Sequence, residues 1–138
     1  MIGRVRSLWL RIQEPRVASI MQWVIYLASL SVGVTAFQRP PSSIEGALGI
    51  TLTTIWAAFL IVGGVLGAIA ALPGVWWLER VAVLACVTGA LMYGSVVLGL
   101  HFSETGNRLP QLGFVAIAIL AFAKRWFEIR RYAYDPER

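Results

Sequence analysis

The chain has 138 residues, of which 58% are hydrophobic and 14% charged, and its mean hydropathy is +0.71. Soluble domains are usually about 45–50% apolar and about 25% charged, so this composition excludes an ordinary soluble domain and favours a membrane protein. The net charge of +5 does not indicate nucleic-acid binding, because no nucleic-acid motif accompanies the basic residues. They flank apolar runs, where anionic lipid headgroups attract them.

Residues 1–16 predict an amphipathic helix that lies flat on the membrane surface. Arg4, Arg6 and Arg11 fall outside the apolar arc of this helix. Pro15 is expected to end it, because the residue before a proline avoids helical backbone angles. A disordered basic tail is the alternative interpretation. The apolar arc consists of Ile2, Val5, Leu8, Trp9 and Ile12.

Four apolar runs follow, and about 20 helical residues suffice to cross the hydrocarbon of a bilayer. They predict an all-α, integral membrane four-helix bundle over residues 17–127, followed by a charged tail at 128–138. The second run is longer than a span requires, so it either tilts or has an interfacial first turn. The fourth is short before Lys124, so Lys124 and Arg125 are expected to snorkel or the bilayer to thin. The four runs cover residues 17–37, 44–72, 81–100 and 109–127.

The distribution of basic residues predicts the orientation of these spans. If the N-terminus lies on the cytoplasmic side of a bacterial cytoplasmic membrane, Arg39 and Arg108 are the only Lys or Arg residues on the outer side. Both termini are then cytoplasmic, as an even number of spans requires. A cleaved signal peptide ending near Ala36 is the alternative, but the first run is longer than the usual signal core of about 7–15 residues. The inside positions are Arg4, Arg6, Arg11, Arg16, Arg80, Lys124, Arg125, Arg130, Arg131 and Arg138.

Ionisable residues deep in a span are functional candidates, and the sequence predicts none. Glu79 and Arg80 precede the third run, so we expect them near water as interfacial anchors; a buried ion-coupling carboxylate is the alternative. The missing intramembrane carboxylate argues against a proton-coupled exporter of the small multidrug type. The predicted interfacial anchors are Trp9, Trp76, Trp77, Glu79, Arg80, Lys124, Arg125 and Trp126.

Residues that could perform chemistry are few. His101 is the single histidine and lies close to Ser103 and Glu104, but it lacks the partners of a metal site or a catalytic centre. Cys86 is the single cysteine and cannot form an intrachain disulfide. No phosphate-binding glycine loop is present. We therefore expect neither an enzyme nor a cofactor.

Two patterns within the spans predict helix association. A polar stripe on the first span is either a helix-packing face or, in an oligomer, the lining of a pore. Small residues four apart on the second and third spans let helix backbones approach closely, within one chain or between chains. The stripe consists of Ser19, Gln22, Tyr26 and Ser29, continued by Gly33. The small residues are Gly63, Gly67, Ala85, Gly89, Gly94 and Gly99.

The size, the four runs and the basic tails resemble holin-like membrane proteins of actinobacterial phages. The segment 73–80, with the sequence PGVWWLER, is similar to a turn found in that group. The single lysine among eleven arginines agrees with a GC-rich coding genome. The resemblance implies accumulation in the host inner membrane, homo-oligomerisation and a timed lesion, and it supplies no catalytic residue.

Three functional classes follow. The first is a holin-like protein that permeabilises the inner membrane. The second is an accessory membrane protein that binds a partner, such as a superinfection-exclusion factor or a subunit of a membrane complex. The third is a small transporter or membrane enzyme. In each class the expected environment is a bilayer with anionic headgroups.

Overall fold

The computed structural model describes residues 2–10 and 16–132, and every element in these ranges is an α-helix. The all-α prediction is therefore confirmed for this part of the chain. The predicted end of the first helix at Pro15 lies outside the described residues, and its position on the membrane surface stays a prediction. The helices are α1 (Ile2–Leu10), α2 (Arg16–Gln38), α3 (Ser42–Ala71), α4 (Trp76–Ser103) and α5 (Leu109–Tyr132).

Proline and glycine separate the long helices. Pro40 and Pro41 lie between α2 and α3, where a proline removes an amide donor and restricts the preceding residue. Between α3 and α4, Gly74 adopts a positive φ of 75°, which glycine tolerates because it has no Cβ. The amides of Gly74 and Val75 donate to the Ala70 carbonyl at 3.1 Å, so the turn satisfies the end of α3.

Three described helical segments are long and apolar enough to cross a membrane: α2, the Gly49–Ala71 part of α3, and α4. The protein is therefore a multi-pass membrane protein. α5 has 24 residues but is not one of these three segments. Its second half contains Lys124, Arg125, Glu128 and Arg130. A fourth span formed by α5 stays a prediction.

Gly49 divides the predicted second span. Its φ of 75° and ψ of 166° are not helical and produce a kink within α3. Thr53 spans the first turn after the kink, since its hydroxyl donates to the Gly49 carbonyl at 2.9 Å. The second apolar run therefore consists of a short segment before Gly49 and a membrane-length helix after it. This division explains why the run is longer than one membrane crossing requires.

The helices α2 to α5 pack antiparallel in chain order, with α2 on α3, α3 on α4, and α4 on α5. Two clusters of buried side chains lie between them. One gathers Tyr26, Val83, Cys86, Phe122 and Ile129 near the α3–α4 turn, and the other is built around Trp56, Leu60 and Val96. α2 and α5 meet at the first cluster, where the Tyr26 and Phe122 rings lie 5.9 Å apart.

Candidate functional site

A buried ion pair joins the beginning of α4 to the second half of α5. The Arg125 Nε donates to the Glu79 Oε1 at 2.6 Å, and the Arg125 Nη2 donates to the Glu79 Oε2 at 3.0 Å. Glu79 is 0% exposed and Arg125 is 4% exposed. Two parallel hydrogen bonds between a guanidinium and a carboxylate are a strong and geometrically specific interaction.

Tyr26 connects α2 to this pair. Its hydroxyl donates to the Glu79 Oε1 at 3.3 Å, and Tyr26 itself is fully buried. We call Tyr26, Glu79 and Arg125 the ion-pair cluster. The Arg125 Nη1 also lies 3.5 Å from the Glu128 Oε2, which places a second carboxylate at its edge. The cluster therefore holds three helices together at one end of the protein.

The structure corrects two of the predicted anchors. The expectation that Glu79 lies near water is wrong, because α4 begins at Trp76 and Glu79 already faces α5 one turn later. Arg125 does not snorkel, since Glu79 neutralises its charge inside the protein. Lys124 is the exposed member of the basic pair, with its side chain 80% exposed and 3.6 Å from Glu128.

The other predicted anchors differ in exposure. Trp9 and Trp77 are 44% and 70% exposed. Trp76 and Trp126 are partly buried and pack against the cluster of buried side chains around Tyr26. Arg80 is half-buried. The depth of these side chains in a bilayer stays a prediction.

The polar stripe of α2 faces the interior of the protein. Ser19, Gln22 and Tyr26 are buried, and Ser29 is half-buried with its hydroxyl donating to the Ile25 carbonyl at 3.0 Å. The stripe is thus a helix-packing face in this structure, and its predicted role as a pore lining is untested. Within the described part of the chain, the buried Gln22 side-chain nitrogen has no hydrogen-bond partner. A buried amide nitrogen without a hydrogen-bond partner lowers the stability of the fold.

A cavity of about 1020 Å³ lies between α2 and α5. We call it the α2–α5 cleft. α3 and α4 line it through Trp56, Leu60 and Ala90, and Phe122 lies at the end nearest the ion-pair cluster. Its walls are mostly apolar. A mainly apolar concavity of this size is typical of a site for an apolar ligand. The sequence alone did not indicate it, because it depends on how far α2 and α5 diverge.

Most of the small residues predicted to pack helices do contact neighbouring helices. A Cβ on Gly63 would lie 2.6 Å from the Cys86 Sγ, and a Cβ on Gly89 would lie 2.8 Å from Leu60 Cδ2. Gly67 faces the Tyr26 ring closely, and Gly94 faces Val115 of α5. Gly99 differs, since nothing lies within 4 Å of its added Cβ. Ala85 is 9% exposed.

The residues considered for chemistry do not assemble into a reactive site in the described ranges. The His101 Nδ1 accepts the Arg108 backbone amide at 3.4 Å, and Ser103 is exposed. No group of three or more His, Cys, Asp or Glu residues positioned to hold a metal ion occurs in residues 2–10 and 16–132. The arrangement is suited to holding helices together and to enclosing an apolar molecule.

No protein-family model, curated protein or solved structure matches this chain. The resemblance to holin-like proteins is therefore a hypothesis that rests on size, spans and charge. The structural features that bear on function are the ion-pair cluster, the buried face of α2 and the cleft.

Proposed function

We propose that this protein is a holin-like protein of the bacterial cytoplasmic membrane. It accumulates there, associates with further copies of itself and permeabilises the bilayer without catalysing a reaction. In this proposal, the lesion forms when one helix separates from its neighbours and exposes a face that prefers water or another polar surface. α2 is the helix with such a face.

The observation that supports this proposal best is the burial of polar α2 residues in the interior of the protein. Ser19, Gln22 and Tyr26 point inward, and the Gln22 amide nitrogen gains no hydrogen bond there from the described residues. An amide nitrogen without a hydrogen-bond partner costs free energy in an apolar interior, and this cost disappears when water reaches the group. On the side towards α5, α2 borders the cleft from Ile25 to Gln38, so few contacts join these two helices there, whereas α2 packs closely on α3. An oligomer in which the α2 faces line water would hydrate the Gln22 amide.

The packing of α5 supports a fourth span. α5 runs antiparallel to α4: Arg125 pairs with Glu79 near the start of α4, and Gln111 donates to the Tyr93 hydroxyl further along it. Positions 79 and 93 of a helix are separated by about 21 Å, a large part of the hydrocarbon thickness of roughly 30 Å. If α4 crosses the bilayer, α5 accompanies it for most of that distance. Both termini then lie on the side of the ten basic residues, which we propose is the cytoplasm.

Induced expression in a bacterial host tests the proposal. We expect the membrane potential to collapse and an impermeant dye to enter once the protein has accumulated. Replacing Gln22 and Ser29 by leucine should reduce dye entry, because it removes polar groups that water would reach. Ser31→Leu is the matched control, since Ser31 is exposed on the same helix. Blotting of membrane fractions establishes that all variants accumulate equally.

Two results would contradict autonomous permeabilisation. One is full accumulation with an intact membrane potential. The other is equal leakage from the Gln22→Leu, Ser29→Leu variant and from Ser31→Leu, because the inward polar groups would then have no role.

The second candidate is an accessory membrane protein that binds a partner, as a superinfection-exclusion factor or a subunit of a complex. The outer face of α5 favours it: Leu109, Leu120 and Phe127 are 58%, 67% and 62% exposed, lie whole turns apart, and are not part of the cleft lining. Residues with this spacing form one side of a helix, which a partner helix can cover. An intact potential after full accumulation supports this candidate.

A further inference from the structure

We infer that the α2–α5 cleft is a binding site for a phospholipid, with one acyl chain inside the cleft and the phosphate at Arg39. This inference requires that the protein lies in a membrane but does not depend on permeabilisation. It follows from the lining, the length and the charge of the cleft.

The lining suits an acyl chain. Side chains such as Val32, Leu60, Ala90 and Val115 supply an apolar wall from all four long helices. Water in a cavity of this kind would find few hydrogen-bond partners, and removal of apolar surface from water is favourable. In a bilayer, lipid chains are the apolar molecules that surround a cleft between helices.

The length of the cleft corresponds to one leaflet. On α2 its lining runs from Ile25 to Gln38, a rise of about 20 Å. Half of a hydrocarbon core of roughly 30 Å is about 15 Å, so an acyl chain and the beginning of its headgroup fit along this path. At the Ile25 end, the contact between Tyr26 and Phe122 closes the space. A flexible chain can end at such a wall, whereas a rigid helix from another subunit would need to pass it.

The charge distribution fixes the direction of the lipid. Among the described residues that line the cleft, Arg39 is the one charged side chain, and it lies at the end away from the ion-pair cluster. It is exposed, next to Gln38 and Pro41 of the same rim. A guanidinium binds phosphate oxygens through charge-assisted hydrogen bonds. The headgroup therefore lies at Arg39 and the chain end lies near Phe122.

Native mass spectrometry of the full chain, purified in mild detergent and incubated with phosphatidylglycerol, tests this site. We expect the wild-type protein to retain one phospholipid. Ala118→Phe should abolish retention because Ala118 lines the cleft, while Ala116→Phe should not, because Ala116 is exposed on the same helix. Ala90→Leu provides a smaller plug from α4 if Ala118→Phe does not fold. Circular dichroism shows which variants are helical.

The headgroup contact is tested separately. Arg39→Gln should weaken retention of phosphatidylglycerol by about tenfold, as expected for the loss of one charge-assisted hydrogen bond. Arg108→Gln removes a positive charge outside the cleft and should leave retention unchanged. Equal retention by the folded cleft and control variants would overturn the site, as would a wild-type protein without bound lipid. Neither result depends on leakage, so failure of this inference is distinguishable from failure of the proposed function.

Discussion

The Arg125 guanidinium and the Glu79 carboxylate meet between α5 and α4 through hydrogen bonds of 2.6 Å and 3.0 Å, with both side chains buried. A second pair, Arg108 and Glu104, has the same chemistry near the other end of α4. Its side chains are 27% and 53% exposed. The two pairs therefore differ in burial and in the number of hydrogen bonds that join them, and their energetic contributions should differ accordingly.

We expect Glu79→Ala to lower the free energy of unfolding by about 3 kcal/mol, because the buried Arg125 charge then keeps only the partly exposed Glu128 carboxylate, at 3.5 Å. Glu104→Ala should lower the free energy of unfolding by about 1 kcal/mol or less, since solvent screens the charges of an exposed pair. Thermal unfolding in detergent, followed by circular dichroism, measures both variants. Similar shifts for the two variants would mean that the pair at Glu79 is hydrated and contributes no more than a surface pair.

Gly63→Leu should destabilise the α3–α4 interface, because an added Cβ already lies 2.6 Å from the Cys86 Sγ and 3.0 Å from the Ala82 carbonyl. Gly99→Leu is the matched control on α4, where the added Cβ meets nothing within 4 Å. We expect a lower melting temperature for the first variant and an unchanged one for the second. If Gly99→Leu alone reduces crosslinked oligomers, Gly99 lies between subunits and the two glycines have separate roles.

Sequence periodicity and composition predicted the parts of this fold that depend on local patterns. The apolar runs correspond to α2, α3 and α4, and the turn at Pro73 and Gly74 separates the helices as expected. The helix starts were less predictable: α4 begins five residues before the expected Val81, which moves Glu79 from the turn into a helix.

The burial of Glu79 was not evident from its immediate neighbours. The predicted topology together with the positions of the charges would have indicated this burial, since Glu79 and Arg125 then lie at the same end of consecutive antiparallel spans. Opposite charges at such positions are expected to pair rather than to face lipid. The cleft could not be predicted in this way, because the sequences of α2 and α5 do not indicate how far apart the two helices lie.

Topology can be decided by reporter fusions. With four spans, fusions at Arg138 and near Pro73 should report the cytoplasm, and fusions near Ser42 and Gly106 the outside. If α5 does not cross, Gly106 and Arg138 report the same side. A cytoplasmic signal at Gly106 would contradict the four-span arrangement and the orientation derived from the basic residues.

Tyr26→Phe should advance the onset of leakage in induced cells. The Tyr26 hydroxyl is the atom through which α2 binds the Glu79 carboxylate, at 3.3 Å, and its loss leaves the ring contact with Phe122 in place. A hydrogen bond between membrane helices contributes about 0.6–2 kcal/mol, so α2 should separate more readily while the protein still folds.

Tyr93→Phe is the control, because the Tyr93 hydroxyl joins α4 to Gln111 of α5 and does not hold α2. The measurement is the time from induction to loss of membrane potential at equal protein level. An unchanged or later onset for Tyr26→Phe would mean that release of α2 from the ion-pair cluster does not limit the formation of the lesion.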